Sequence, residues 1–320
     1  MNEKIIICDC DHQDVDTEKA VFDKAGQPFR WHHCMTQQEV IDECKGAVVF
    51  LNQYVRMDKV IFEAIPTLKC IVRYGVGVDN VNVDDATAYG VQVCNVPDYG
   101  TNEVADQALA LMMNLVRKVY VVNAEVREGI WDYRRTIPIK RNACSTVGII
   151  GLGRIGKAFS RRVHALGCRV VACDPLAGTE GFEVPDYVTM TDLDTLLRSS
   201  DVISIHCSLN ETSRGMIGRD ELAKMKSTAY LINVARGGII DEEALDEALT
   251  NGVIAGAGLD VVASEHLNAD APLLRHKNFL VSPHMAWYSE ESAVELNRKA
   301  AEEAVRFLNG EPVHYPINHV

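Results

Sequence analysis

Three glycines stand in the spacing G-x-G-x-x-G at Gly151, Gly153 and Gly156. An apolar run over residues 147–150 precedes them, and a segment with helical spacing follows. In such a strand–turn–helix unit the first glycine permits a tight turn, the second lets the backbone approach a pyrophosphate, and the third lets the helix pack on the strand. The free N–H groups and the positive dipole end of the helix would bind the pyrophosphate.

A second apolar run, residues 169–173, ends at Asp174. This acid follows the last glycine at close to the spacing of about 20 residues expected of the carboxylate that binds the ribose hydroxyls. Because it would repel a 2′-phosphate, we predict NAD rather than NADP as the cofactor. We assign Arg154 and Ile155, within the turn, and Cys207 to the same site. A purely structural glycine turn is the alternative, but the strand, turn, helix and acid all agree with a dinucleotide site.

Three polar residues follow predicted strands of the same block, where open α/β sheets bind ligands. Arg236 precedes two glycines, Glu265 follows the run 256–262, and His284 stands in the sequence Ser-Pro-His. Arginine can bind a carboxylate with two parallel hydrogen bonds. Histidine can donate a proton to a carbonyl oxygen near neutral pH, and a carboxylate on its other ring nitrogen would fix its tautomer.

We therefore hypothesise that this trio reduces 2-oxo acids with NADH. Taken singly, each residue has a structural alternative: a helix cap for the arginine, a satisfied loop position for the histidine and a solvated surface position for the glutamate. Their occurrence together behind a dinucleotide site favours the catalytic interpretation.

The elements that must position these residues alternate between strand and helix, which predicts parallel sheets with helices on both faces. In the first hundred residues, strands are predicted at 4–8, 47–51, 68–72 and 91–96, and a capping box at Thr36 and Glu39 starts a helix. A long apolar-periodic helix begins at Thr101. The second block begins near Thr146, with later strands predicted at 202–207, 229–234, 256–262 and 279–282.

A chain of 320 residues is long for one core and suits two domains. We predict a discontinuous substrate-binding domain over residues 1–100 plus 286–320, and an NAD-binding domain over residues 101–285. The final helix, about residues 291–308, follows the last strand of the second block, so we expect it to close the first domain.

Composition narrows the class of partner. The apolar content of 47% and charged content of 24% are those of an ordinary soluble protein, and the net charge of −13 argues against nucleic acid or an anionic membrane as the partner. There is no apolar run of membrane-spanning length and no signal peptide at the N-terminus, so we expect a cytoplasmic protein.

The ten cysteines include no C-x-x-C pair. The groups Cys8, Cys10 and His12, and His32-His33-Cys34, do not match the spacing of a zinc site, so we predict no metal and reduced thiols.

Five segments together resemble the D-isomer-specific 2-hydroxyacid dehydrogenase family: residues 73–80, 148–156, 233–238, 259–265 and 282–284. The resemblance implies two Rossmann-like α/β domains, one flavodoxin-like and one dinucleotide-binding, with a cleft between them, and a homodimer built on the cofactor domain. It implies that Arg236, Glu265 and His284 are the catalytic trio, with Glu265 paired to His284.

The resemblance also implies that Val76 and Gly77 offer backbone N–H groups to the substrate carboxylate and that Asp260 holds the nicotinamide carboxamide. Within the family, residues 95–99 and 284–289 resemble the branch of the C-terminal-binding-protein corepressors and phosphoglycerate dehydrogenases. By that likeness Trp287 lines the substrate pocket and Arg73 is a second cation, whereas simple packing is the alternative for Trp287. The family often has proline after the catalytic glutamate, but His266 stands there, so the local turn is expected to differ.

The resulting prediction is an NAD-dependent oxidoreductase that interconverts a D-2-hydroxy acid and its 2-oxo acid. Two alternatives remain. One is 3-phosphoglycerate dehydrogenase, which needs extra cations for the phosphate, such as Arg73 or Arg56. The other is an NADH-sensing, corepressor-like scaffold, which turnover of a 2-oxo acid would exclude.

Overall fold

The computed structural model describes residues 4–264 and 266–320, which form two compact α/β units. One unit contains the chain through Gly100 together with Tyr288–Val320, and the other contains Thr101–Trp287. Each unit has its own parallel sheet, one of five strands and one of seven. The predicted fold class, two parallel-sheet α/β domains, is therefore confirmed.

The five-stranded sheet has the order β2-β1-β3-β4-β5, the flavodoxin-like order of doubly wound folds. Its strands are β1 (Ile5–Ile7), β2 (Phe29–Trp31), β3 (Val49–Asn52), β4 (Cys70–Arg73) and β5 (Gln92–Cys94). The helices between them are α1 (Asp16–Ala25), α2 (Gln37–Glu43), α3 (Lys59–Ala64) and α4 (Val83–Ala88). The predicted capping box is present, since Thr36 accepts a hydrogen bond from the N–H of Glu39.

The second unit begins with two helices, α5 (Thr101–Arg117) and α6 (Val119–Arg127), separated by Lys118 in a left-handed conformation with φ of 55°. The strands that follow are β6 (Thr146–Ile150), β7 (Arg169–Cys173), β8 (Val188–Met190), β9 (Val202–Ile205), β10 (Tyr230–Asn233), β11 (Gly256–Leu259) and β12 (Phe279–Val281). Their helices are α7 (Arg154–Ala165), α8 (Leu193–Ser199), α9 (Arg219–Lys224) and α10 (Glu242–Thr250). The sheet order is β12-β11-β10-β9-β6-β7-β8.

The last helix, α11 (Glu290–Leu308), belongs to the first unit. Its apolar face buries Leu296, Ala300 and Ala304, and it packs against α1 and against β3 and β4. The helix starts where Ser289 accepts a hydrogen bond from the N–H of Ser292. The chain therefore leaves the first unit after β5 and returns to it after β12.

Two strands, β2 and β8, are absent from the sequence prediction. Both have three residues, and each lies at an edge of its sheet. All three residues of β2 are partly exposed and the middle residue of β8 is exposed, so neither strand has the continuous apolar run that marks a fully buried parallel strand. The predictions 202–207 and 256–262 also extend too far, because β9 and β11 stop at Ile205 and Leu259 and the apolar residues beyond them form loops.

Candidate active site

The glycine turn joins β6 to α7, and two of its glycines are required by close packing within the protein. Gly151 has a φ of +91°, and a Cβ there would lie 2.6 Å from the backbone nitrogen of Cys207. A Cβ on Gly156 would lie 2.1 Å from the carbonyl oxygen of Gly151. A Cβ on Gly153 would meet nothing within 4 Å, so this position leaves open space above the turn, as close approach of a ligand requires.

The first turn of α7 contains Arg154 and Ile155 and directly follows Gly153, which has no side chain to cap the helix. The first N–H groups of a helix have no partner within it, and the helix dipole places positive charge there. A pyrophosphate therefore fits the beginning of α7.

The carboxylate of Asp174 lies beside the glycine turn. It follows β7, and its two oxygens accept hydrogen bonds from the N–H groups of Leu152 (2.7 Å) and Leu176 (2.9 Å). These contacts fix its position and leave further acceptor sites for ribose hydroxyls. The glycine turn, the helix N-terminus and this acid together fit a dinucleotide.

His206, directly before Cys207, is a further residue of the cofactor edge that the sequence analysis missed. Its side chain contacts the ring of Phe159, and its Nε2 lies 2.9 Å from the hydroxyl of Ser204. Burial lowers the pKa of His206 to about 3, so the ring is neutral at ordinary pH. The sequence signal for it is its place directly after an apolar strand, and its backbone packs with that of Cys207 on Gly151.

Arg236 follows β10 in a loop that is fixed from both sides. The amide of Asn233 donates to the carbonyl of Arg236 at 2.8 Å and accepts from the N–H of Ala235 at 3.0 Å. Next to the arginine, a Cβ on Gly237 would lie 2.1 Å from the carbonyl oxygen of Val262, so only glycine fits. The arginine loop is therefore packed closely against the chain that follows β11.

His284 has a left-handed backbone with φ of 53°, and Asp260 holds it there. The N–H of His284 donates to the carbonyl of Asp260 at 2.8 Å. The carboxylate of Asp260, 1% exposed, accepts from the hydroxyl of Ser282 (2.5 Å) and from the N–H groups of Met285 (3.2 Å) and Ala286 (2.9 Å). Burial raises the pKa of Asp260, although these hydrogen bonds counteract it. A buried carboxylate with three donors thus fixes the histidine loop.

The predicted residues of the second unit lie along the carboxyl edge of one sheet. Reading across the sheet order from β12 to β7, the edge carries His284, Asp260, Arg236, Cys207, Gly151 and Asp174. Starting from β6, the chain adds β7 and β8 on one side of it and β9 to β12 on the other, so the order of strands reverses between β9 and β6. Open α/β sheets bind ligands at such a switch point. The structure therefore brings the predicted cofactor residues and two of the catalytic residues to a common edge.

The structure leaves two predicted roles in this unit untested, those of Glu265 and Trp287. Glu265 lies outside the described residues, so its pairing with His284 stays a prediction. Trp287 is half-buried and packs against the apolar cluster that includes Val104 and Ile232. Such packing is the structural alternative to a place in the substrate pocket, so the pocket role of Trp287 stays a prediction.

In the first unit, the predicted substrate residues lie in the loop after β4. Arg73 ends the strand, and Gly75 has a φ of +130°. The carbonyl of Gly75 accepts from the N–H of Val96 at 3.0 Å, and that of Val76 accepts from the amide of Asn95 at 2.6 Å. The N–H groups of Val76 and Gly77 donate to no residue that the structure describes. Two adjacent free N–H groups can bind a carboxylate.

The described residues contain no group of three His, Cys, Asp or Glu side chains arranged as metal ligands. The ten cysteines are free thiols, and Cys144 is the exposed one among them. Within residues 4–264 and 266–320, no helix combines the length and the apolar character that crossing a membrane requires.

The fold and the edge residues define a dinucleotide-binding protein of the Rossmann type. Comparison with known proteins specifies the family: residues 109–286 match the NAD-binding domain of the D-isomer specific 2-hydroxyacid dehydrogenases. The chain belongs to this family. It is accordingly an NAD-dependent enzyme of the class that interconverts 2-hydroxy acids and 2-oxo acids.

The individual relatives are named as different enzymes. The D-3-phosphoglycerate dehydrogenase of Archaeoglobus fulgidus is 37% identical over 285 residues, which are 89% of this chain and 54% of that protein, so the chain spans about half of its length. The glycerate dehydrogenase of Methylorubrum extorquens is 34% identical over 98% of both chains. The solved structure of a glyoxylate reductase from Paecilomyes thermophila has a TM-score of 0.86 at 27% identity and covers 98% of this chain and 97% of its own.

Proposed function

We propose that this protein reduces a small, unphosphorylated 2-oxo acid to its D-2-hydroxy acid with NADH. The second unit binds NAD and carries the catalytic residues, whereas the first unit binds the substrate carboxylate. The observation that carries the proposal is the order of residues along the carboxyl edge, where an arginine and a histidine follow the strands next to a dinucleotide turn. Oxidation of NADH by a panel of 2-oxo acids tests it.

The chemistry divides among these residues. Bound NADH supplies the hydride that the carbonyl carbon accepts. His284 donates the proton to the carbonyl oxygen, and Glu265, paired with its other ring nitrogen, orients the ring. Arg236 binds the substrate carboxylate and polarises the carbonyl, as its planar, permanently charged side chain permits.

The remaining site residues bind rather than react. The N–H groups of Val76 and Gly77 bind the substrate carboxylate, with Arg73 as a second cation, and Trp287 lines the pocket for the substrate side chain. Asp260 accepts a hydrogen bond from the nicotinamide carboxamide and holds the His284 loop, as its hydrogen bonds to that loop support.

A phosphorylated substrate is the second candidate, because relatives include a phosphoglycerate dehydrogenase. A phosphate needs additional cations to bind it, and a cation that is already paired offers it less. Arg56 is an arginine that could serve, but its Nε pairs with Asp58 at 2.9 Å, and Asp58 also caps α3. We therefore favour the unphosphorylated acid, and the rate with phosphohydroxypyruvate separates the two candidates.

Asp174→Ala is expected to relax the preference for NADH over NADPH by about tenfold. The carboxylate repels a 2′-phosphate and binds the ribose hydroxyls, so its removal weakens the binding of NADH and permits the binding of NADPH. The measurement is kcat/KM for both cofactors, with Asp194→Ala, a surface acid paired with Arg198, as the control. Equal use of both cofactors by the unaltered enzyme would contradict this role.

We also propose that the protein is a homodimer whose contact includes α6 and the segment after it. No residue of α6 is buried, and large apolar side chains nearby are exposed: Val119 by 51%, Trp131 by 89%, Tyr133 by 78% and Ile137 by 63%. An exposed apolar patch of this kind is typical of a protein interface.

The ten free thiols suit a reducing compartment, so we propose a cytoplasmic location.

Trp131→Glu should shift the molar mass in solution from twice 35.4 kDa towards 35.4 kDa. A carboxylate at the centre of an apolar contact would be buried without a partner when two copies associate. Light scattering coupled to size exclusion gives the mass, and Met35→Glu, at a residue 82% exposed in the first unit, is the matched control. A Trp131→Glu protein that stays dimeric would place the contact elsewhere.

A further inference from the structure

A buried polar cluster in the first unit adjoins the loop that carries Val76 and Gly77. Glu18, on α1, is 0% exposed, and its Oε1 accepts a hydrogen bond from the hydroxyl of Tyr74 at 2.8 Å. The same oxygen lies 3.5 Å from Nδ1 of His12, in the loop after β1. A carboxylate in an apolar interior is costly unless it is paired, so Tyr74 and His12 supply its compensation.

Tyr74 connects this cluster to the substrate loop. It stands between β4 and Gly75, its side chain is 2% exposed, and its ring meets the ring of His12 edge to face with centroids 5.0 Å apart. Its N–H also donates to the carbonyl of Asn52 at 2.8 Å. The next two residues are held through their carbonyls by Asn95 and Val96, as described above. The loop is thus fixed at three successive residues, whereas the N–H groups of Val76 and Gly77 remain available.

The cluster also balances its own charge. Burial by itself lowers the pKa of His12, but the neighbouring Cys10 and Glu18 groups outweigh burial and raise it to about 10. Nδ1 of His12 lies 3.5 Å from the Glu18 carboxylate, so a protonated His12 would offset the charge of that carboxylate. An uncompensated carboxylate this close to the loop would repel an anionic substrate.

We propose that Tyr74, Glu18 and His12 are positioning residues for the substrate: the Tyr74 hydroxyl, anchored on Glu18 beside His12, fixes the backbone of Gly75–Gly77 so that the N–H groups of Val76 and Gly77 bind one carboxylate. None of the three touches the substrate. The inference rests on the proposed function, which assigns this loop to the substrate carboxylate. Tight fixation matters because small displacements of binding groups reduce affinity strongly.

The test measures binding of oxamate, a non-reacting analogue of a 2-oxo acid, to the enzyme with NADH bound. In Tyr74→Phe, which keeps the ring and removes only the hydroxyl, the Kd for oxamate is expected to rise about tenfold, because a displaced loop aligns its N–H groups less well with the carboxylate. The Kd for NADH should stay within about twofold, because NADH binds to the other unit. His12→Gln should act in the same direction and serves as the second variant if Tyr74→Phe does not fold.

Tyr89→Phe is the matched control. The Tyr89 hydroxyl donates to a carboxylate oxygen of Glu63 at 2.6 Å, so this is a second tyrosine–glutamate pair of the same unit, but it lies at an exposed position after α4 rather than in the substrate loop. Tyr89→Phe should leave the Kd for oxamate unchanged. If Tyr74→Phe leaves that Kd unchanged, or changes it only as much as Tyr89→Phe does, the cluster has a purely structural role and the inference is wrong.

The two proposals fail in different ways. If the unaltered enzyme binds oxamate but reduces no 2-oxo acid, the proposed reaction is wrong, and the comparison of Tyr74→Phe with Tyr89→Phe still decides the positioning role. If Tyr74→Phe weakens the binding of oxamate, the KM of this variant for a 2-oxo acid that the enzyme reduces should rise by a similar factor, while kcat changes less than about twofold. If the unaltered enzyme does not bind oxamate, the inference is overturned as well.

Discussion

Replacing Arg236 with alanine is expected to lower kcat/KM for a 2-oxo acid about 10³-fold, which corresponds to about 4 kcal/mol at about 1.36 kcal/mol per factor of ten. The alanine removes the paired hydrogen bonds to the substrate carboxylate and the positive charge that polarises the carbonyl. The Kd for NADH should stay within about twofold, because the glycine turn and Asp174 are unaltered. Steady-state kinetics and NADH fluorescence titration give the two quantities.

Two further variants sharpen this result. Arg236→Lys keeps the charge but not the planar fork, so it should restore only part of the loss. Arg219→Ala removes a surface arginine of the same unit that pairs with Glu247 at 2.6 Å, and it should leave the kinetics unchanged. If Arg236→Ala weakens the binding of NADH as much as it weakens the binding of the substrate, the arginine belongs to the cofactor site instead.

His284→Asn is expected to lower kcat by about 10²–10⁴-fold with a smaller change in KM, because it removes the proton donor. Asparagine is the appropriate replacement, since it tolerates the left-handed backbone at φ of 53° better than most residues do. The fold of the loop should therefore survive, and stopped-flow oxidation of NADH in single turnovers reports the chemical step directly.

His276 provides the control for this experiment. It is another histidine of the second unit, with its Nε2 2.7 Å from the carboxylate of Asp246, and His276→Asn should keep full kcat. A His284→Asn enzyme that retains more than about a tenth of the kcat would require a different proton donor.

The cofactor site could be predicted from the sequence because its requirements reside in residue types at fixed spacing. Gly151 and Gly156 are needed where a Cβ would meet backbone atoms at 2.6 Å and 2.1 Å, and no other residue fits. Asp174 directly follows a buried strand, and its hydrogen bond to Leu152 confirms that it adjoins the turn. Local sequence therefore encodes local geometry there.

Other features depend on contacts between distant parts of the chain, which no local pattern shows. Glu18 in the first turn of α1 looks like an ordinary acid that favours a helix dipole, yet it is buried against Tyr74, 56 positions away in the chain. Likewise Asp260 was assigned by resemblance to the nicotinamide alone, and its hydrogen bonds to residues 285 and 286 emerge only from the fold. The short edge strands β2 and β8 were missed because their pairing partners, rather than their own residues, determine them.

The most direct test of the proposed reaction is NADH oxidation at neutral pH with glyoxylate, hydroxypyruvate, phosphohydroxypyruvate, 4-methylthio-2-oxobutyrate and phenylpyruvate, each also with Arg236→Ala. We predict rapid turnover of at least one unphosphorylated acid, lost in Arg236→Ala, with D-stereochemistry in the product. Preferred turnover of phosphohydroxypyruvate would identify the phosphorylated substrate instead. Intact NADH binding without oxidation of any acid would contradict the account and favour an NADH-sensing scaffold.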